Sequence, residues 1–129
     1  GLVSTVSDMA LFTEMMAAGG KAQDGKKDLA PTTIDLMKRN QLDAEAMKDF
    51  NWSHLKGYGY GLGVRTMVDP ALGASPSPVG EFGWTGAAGA YMMIDTDNRL
   101  AVFYAHHMLN NQEYYTAPRL RNIVYSCLD

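Results

Sequence analysis

Apolar residues recur at helical spacing in the first part of the chain and in alternation or short runs in the second. Met9, Leu11, Phe12, Met15 and Met16 fall on one helical face. Thr5-Val6-Ser7-Asp8 ahead of them has the form of a capping box with Asp in place of Glu, and Gly19-Gly20 supplies the stop. The pattern predicts an amphipathic helix over 6–18. Lys21 to Asp28 is polar and reads as a loop. Pro31-Thr32-Thr33 opens a short helix carrying Ile34, Leu36 and Met37, with Lys38 and Arg39 in its last turn. Asp43 to Phe50 has room for one or two further helical turns.

From Gly57 the period changes to two. Gly57-Tyr58-Gly59-Tyr60-Gly61-Leu62-Gly63-Val64 predicts a strand with bare backbone on one face and Tyr58, Tyr60, Leu62 and Val64 on the other. A face of glycine alone permits close approach by another element or a ligand. This strand is expected to run through Met67, before Asp69-Pro70 breaks it, and 70–80 reads as a surface loop. Strands are predicted at 89–95 and 100–107, joined by a tight hairpin at Thr96-Asp97-Asn98-Arg99. Both faces of the second strand are apolar, which predicts a sheet covered on both sides. Asn110 to Tyr115 leads into a last helix, with Pro118 in its first turn and a stripe of Ala117, Leu120, Ile123, Val124, Cys127 and Leu128. The expected class is α+β: an antiparallel sheet of about three strands with flanking helices and a C-terminal covering helix. Residues 1–56 are mainly helical, and 57–129 hold the strands and the last helix.

Composition narrows this picture. A chain of 129 residues, 47% hydrophobic and 19% charged, is one globular domain's worth. A net charge of −3 offers no basic patch for nucleic acid, and no lysine cluster suggests an anionic membrane. No apolar run approaches the roughly 20 residues that span a bilayer. The single cysteine, Cys127, excludes an internal disulfide and reads as a buried structural thiol. The nine methionines read as adaptable core filling. The chain begins at Gly1 without Met, already leaning into a helix signal, and is expected to be part of a longer protein.

Candidate chemistry is sparse. Gly20 to Lys27 approximates a phosphate-binding loop, but Lys27 stands where Ser or Thr must hold magnesium and a helix precedes it, so it reads as a solvated loop. Ser53-His54-Leu55-Lys56 matches S-x-x-K, in which a lysine one turn away activates a serine. Gly57 follows at once, so no helix continues to hold both side chains inward. His54, His106 and His107 lack metal-ligand spacing and read as strand-end or surface histidines, and no metal is expected. Asp95, Asp97 and Glu113 fall at turns and a cap. Gly83-Trp84-Thr85-Gly86-Ala87-Ala88-Gly89 differs from these: it offers a hydroxyl, bare backbone and an N–H along one edge, parts able to bind a carbonyl oxygen as it becomes an oxyanion. A β-bulge or a tight packing site accounts for the same residues.

Taken in order, several of these segments resemble a known family. Gly1-Leu2-Val3-Ser4-Thr5-Val6-Ser7-Asp8-Met9-Ala10-Leu11-Phe12 is similar to the G-L-x-S-T-x-x-D-x-A-x-F segment of the class C β-lactamase-like serine hydrolases, a family that includes D-aminopeptidases, DD-peptidases and esterases. Asn40-Gln41-Leu42 and Gly59-Tyr60-Gly61-Leu62-Gly63 continue the resemblance, and Gly83-Trp84-Thr85-Gly86 falls where the family carries its third motif, Lys-Thr-Gly or a variant. The resemblance implies an acyl-enzyme mechanism on an ester, amide or β-lactam bond of a small-molecule acyl substrate, with no cofactor. Trp84, Thr85 and Gly86 then bind substrate, and the Ala87 N–H is one half of the oxyanion hole. No Y-x-N or S-x-N occurs in this chain, so the nucleophile and its tyrosine are expected upstream of it and the fragment alone is expected to be inactive. Trp84 in place of lysine weakens a β-lactamase assignment and tilts the expectation toward an esterase or peptidase with a neutral or aromatic-friendly pocket, most of all esterase-like, with β-lactamase or DD-peptidase as the alternative. A non-catalytic interaction domain is the reading from another class. With the family's N-terminal strands absent, an apolar edge or face is expected to drive dimerisation. Sedimentation at micromolar concentration is expected to resolve a dimer, and a stable monomer there overturns this expectation.

Overall fold

In the computed structural model, which describes residues 2–128, the element order is α1 (Val6–Ala17), α2 (Pro31–Met37), α3 (Ala46–Asp49), a 3-10 turn (Ser53–Leu55), β1 (Tyr58–Tyr60), β2 (Arg65–Met67), β3 (Phe82–Thr85), β4 (Tyr91–Asp95), β5 (Leu100–Tyr104) and α4 (Glu113–Tyr125). The strands form one antiparallel sheet in the order β1-β2-β3-β4-β5. Side-chain alternation along β4 splits the core in two. Ile94 and Met92 join Phe82, Val64, Ile34, Met16 and Ala17 under α1. Tyr91 and Met93 join Tyr125, Leu120, Val124 and Ala117 of α4. Helices therefore cover both faces, as the apolar β5 predicts.

The predicted start of α1 is present. Thr5 Oγ1 accepts from the Asp8 N–H at 3.1 Å and donates to Asp8 Oδ2 at 2.8 Å, so the shorter Asp returns its bond to the hydroxyl. The helix buries Thr13, Met16 and Ala17, while Leu11 and Phe12 stay largely exposed.

Several expectations change. The stretch from Gly57 to Met67 is a hairpin, not one strand. The chain reverses through Gly61–Val64, where the Gly61 N–H reaches Val64 O at 2.7 Å and Gly63 takes a left-handed φ of 76°. The bare face of β1 receives the segment after α2. Asn40 packs against Gly59, Met37 O lies against Gly61, and the Gln41 N–H donates to Tyr60 O at 2.8 Å. The glycine-rich Phe82–Thr85 is a strand in its own right, so the sheet has five strands where about three are expected. Strand β5 ends at Tyr104, leaving His106 and His107 in irregular chain. Helix α4 starts at Glu113, which puts Pro118 in its interior at the cost of one backbone bond. Its buried face includes Arg121 and Tyr125, Ile123 points outward, and Cys127 is exposed beyond the helix end.

Between the sheet and α4 lies a buried polar network. Arg65 donates to Glu81 Oε1 and to the Tyr91 hydroxyl, each at 3.1 Å, and its guanidinium sits 5.1 and 4.9 Å from the Tyr58 and Tyr91 ring centres. Tyr58 donates its hydroxyl to Glu81 Oε2 at 2.5 Å and accepts from Arg121 Nη1 at 2.7 Å. Arg121 also donates to Gly73 O at 3.1 Å. Glu81 is fully buried, so its charge is tolerable only because three donors face it and its neighbours. Glu81→Ala leaves Arg65 without a counter-charge and is expected to destabilise the protein by about 3–5 kcal/mol, read from the urea midpoint. A loss under ~1 kcal/mol shows that the pair acts as if solvated.

Burial pushes the Tyr91 phenol up to about 12. Burial, then Glu81, raises Tyr58 further, and burial with the hydrogen bond donated to Asp95 raises Tyr125. Below pH about 10 these phenols are protonated in both folded and unfolded chains. Above it only the unfolded chain loses the protons, so stability falls with rising pH, at about 4 kcal/mol per pH unit if all three hold. Tyrosinate absorbance from these three is expected to appear together with loss of far-ultraviolet dichroism. Their ionisation in a chain still folded at pH about 11 contradicts this.

Candidate active site

After Thr85 the chain turns before entering β4. The Gly86 N–H donates to Ala90 O at 2.7 Å and the Gly89 N–H to Gly86 O at 2.8 Å. Gly89 has φ 93°, and a Cβ there would lie 2.5 Å from His106 Nδ1 and 2.8 Å from Asn111 Cβ, so only glycine fits. Asn111 locks the turn. Its Nδ2 donates to Ala87 O at 3.0 Å and to Gly86 O at 3.4 Å, while its Oδ1 accepts the Glu113 N–H at 2.8 Å. In a trans peptide the C=O and the following N–H point in opposite directions. With Gly86 O drawn inward by Gly89 and Asn111, the Ala87 N–H is turned outward. Ala87 is exposed, and among the described residues its N–H has no acceptor.

A cavity of about 220 Å³ opens here, lined by Trp52, His54, Leu55, Trp84, Thr85, Gly86, Ala87 and Glu113. All four predicted site residues, Trp84, Thr85, Gly86 and Ala87, therefore border one space. Glu113, in the first turn of α4, anchors its floor: Oε1 accepts from the Thr85 hydroxyl in a short hydrogen bond and lies 3.1 Å from His54 Nε2. Behind Glu113 a void of about 10 Å³ borders Arg65, Tyr91 and Arg121, so the buried network abuts the site. An aromatic ladder joins its two indoles. Trp52 meets Phe50 edge-on at 5.5 Å, Phe50 lies 5.8 Å from Tyr60, and Tyr60 meets Trp84 edge-on at 5.4 Å.

Sequence reasoning missed Trp52, His54 and Glu113 as site residues. The Thr85–Glu113 bond spans 28 positions and His54 comes from a third element, so no local spacing announces them. Their one signal is an acid in the first turn of the last helix. His54 is half-buried and paired, which corrects the reading of a strand-end or surface histidine. Ser53 and Lys56 are exposed in and after the 3-10 turn. Among the described residues no group of three His, Cys, Asp or Glu is placed to hold a metal ion, and no helix is long and apolar enough to cross a membrane. Asn111→Ala is expected to speed amide hydrogen exchange at Gly86 to Gly89 about tenfold or more, the loss of one or two hydrogen bonds, with the β4 and β5 amides unchanged. Unchanged exchange in the turn removes Asn111 from this role.

Comparison with known proteins places this geometry in context. Residues 1–125 match the family model described as beta-lactamase. Two curated proteins of Mycobacterium tuberculosis, protein Rv1367c of strain H37Rv and the uncharacterized protein MT1414 of strain CDC 1551, are each 30% identical over 109 residues. The match takes in 81% of this chain and 27% of each relative, so the chain spans about a quarter of their length. Among solved structures, EstCE1, a hydrolase with promiscuous acyltransferase activity, superposes with a TM-score of 0.74 at 21% identity, over 95% of this chain and 30% of that one. That likeness is one of fold, the α+β sheet covered by helices on both faces. With the family model matched over almost its whole length, the chain belongs to the beta-lactamase family.

Proposed function

We propose that this chain forms one wall of the active site of a serine hydrolase that cleaves ester bonds through an acyl-enzyme, and that the reacting serine and its base lie outside these residues. The observation that carries the reading is the Ala87 N–H, exposed, without an acceptor among the described residues, and aimed outward by a turn whose carbonyls are held the other way. When a serine oxygen attacks a carbonyl carbon, the carbonyl oxygen gains the negative charge. A fixed N–H at that point stabilises the charge without reorganising. Ala87 is assigned that donation, and Trp84, Thr85 and Gly86 line the space for the acyl group. Thr85 has its proton committed to Glu113, so it holds the floor of the site and offers a substrate only acceptor capacity. Among the described residues no serine hydroxyl is hydrogen-bonded to a lysine, histidine or tyrosine, which supports a nucleophile supplied from elsewhere.

The acyl chemistry of EstCE1 supports the ester reading. A second reading, β-lactamase or DD-peptidase, keeps the same wall and changes the substrate. Against it stands the lining of the cavity, which includes no lysine or arginine to meet a substrate carboxylate.

The full-length protein is expected to hydrolyse p-nitrophenyl butyrate much faster than nitrocefin, and the opposite order promotes the second reading. Ala87→Pro removes the donor and is expected to lower kcat about 100-fold or more with thermal unfolding unchanged. Activity undiminished in a folded variant rejects the oxyanion assignment. The chain of 129 residues by itself is expected to release no p-nitrophenol above buffer and to resist fluorophosphonate labelling. If the full-length protein also resists that label, the site belongs to a non-catalytic interaction domain.

A further inference from the structure

We infer that Glu113 sets the charge preference of this site, so that the cavity takes substrates carrying an ammonium or other cationic group and disfavours those carrying a carboxylate. The inference rests on the hydrolase reading for its word substrate, but the binding it describes does not require catalysis. Glu113 makes both of its side-chain contacts, the hydrogen bond from Thr85 and the 3.1 Å approach of His54 Nε2, on one oxygen, Oε1. Among the described residues Oε2 has no hydrogen-bond partner, and it is not sealed from solvent. The rest of the lining is neutral: Trp52, Leu55, Trp84, Thr85, Gly86 and Ala87.

The charged groups nearest behind Glu113 are Arg65 and Arg121. Both are buried and directed elsewhere, Arg65 to Glu81, Tyr91 and Met92 O, and Arg121 to Tyr58 and Gly73 O. Neither lines the cavity. The lining a ligand meets thus includes one carboxylate and two partly exposed indoles. Indole faces attract cations, most strongly where water is displaced. A carboxylate arriving in the same space meets repulsion from Glu113 and no lysine or arginine in the lining to offset it.

The test uses the full-length protein and three p-nitrophenyl esters of similar size: the 4-trimethylammoniobutyrate, the neutral 5,5-dimethylhexanoate and the hemiglutarate. The expected order of kcat/KM is cationic, neutral, anionic, with about tenfold between the first and last. Glu113→Gln keeps an oxygen for Thr85 and His54 and is expected to flatten that ratio to within about twofold, mainly through KM. A wild-type order with the hemiglutarate first, or no order at all, overturns the inference. So does a folded Glu113→Gln protein that keeps the wild-type ratio. Should Glu113→Gln fail to fold, Trp52→Ala, at an exposed position, is expected to lower the cationic preference in its place, and an unchanged ratio there overturns the inference as well. Binding of benzyltrimethylammonium and of benzoate, followed by titration calorimetry, separates this from the hydrolase reading. If no ester is turned over while benzyltrimethylammonium binds and benzoate does not, the hydrolase reading falls and the charge preference stands. Benzoate binding as tightly as the cation overturns the preference whatever the esters do.

Discussion

The buried pair of Arg65 and Glu81 is the constraint from which the rest of the molecule hangs. Neither charge can sit in an interior unless the other is there and the remaining hydrogen-bonding positions are filled. Filling them recruits Tyr58 from β1, Tyr91 from β4 and Arg121 from α4. One polar cluster thereby joins β1, β2, β4 and the residue that leads into β3 to the covering helix. Gly83 must stay bare chiefly because a side chain there would strike the Met92 carbonyl of β4, with the Arg65 guanidinium 3.1 Å away. The hydrophobic layers alone would let α4 slide or roll on Met93 and Tyr91. Arg121, bonded to both Tyr58 and Gly73, removes that freedom.

The same restraint positions the site. Glu113 lies about two turns before Arg121 along α4, so fixing Arg121 fixes where the first turn of that helix meets β3. From there Glu113 ties Thr85 to His54, and Asn111 ties the helix entrance to the carbonyls of Gly86 and Ala87. Three elements far apart in sequence converge on one cavity because a charge network deeper in the fold holds the helix that carries two of the ties. A backbone donor held this way is already oriented before a substrate arrives, which is the condition under which such donors stabilise developing charge well.

How much of this can be read from the chain follows from the range of each interaction. Helix α1 is legible because its cap and its stop are local: Thr5 and Asp8 bond to each other, and Gly20 turns at φ 91°. The Asp95–Leu100 hairpin is legible for the same reason, with Asp95 accepting from the Asp97 and Asn98 N–H groups. The wall Trp84–Ala87 is legible as glycine-rich backbone beside a strand. Alternating glycine and aromatic residues, by contrast, do not say whether a chain runs straight or turns back, and Gly63 decides that only through a left-handed φ. The start of α4 is hidden because its first turn is held by Asn111 and by Glu113's distant partners, so Pro118 reads as an early position when it is an interior one. Arg121 and Tyr125 look like interruptions of an apolar stripe until Tyr58 and Asp95 are placed opposite them. His54 and Glu113 are the extreme case: every bond that gives them a role in the site is long-range.

The division of labour at the cavity also explains how such a wall can serve different chemistry without losing its reactive element. The oxyanion donor proposed for Ala87 is main chain, and its direction is set by Gly89, Asn111 and the Gly86 carbonyl. None of these depends on the side chain at position 84, which leans on Tyr60, or on Glu113 Oε2, which takes part in neither of that residue's two contacts. On the readings proposed above, exchanging a lysine for Trp84, or a neutral side chain for Glu113, would alter which molecules are attracted into the space. The Ala87 N–H keeps its place, because its turn is held by other bonds. Selection and donation are mechanically separate, one written in side chains at the rim and the other in the turn's own hydrogen bonds. The buried Arg65–Glu81 cluster keeps the two in register by holding the sheet and α4 as one body.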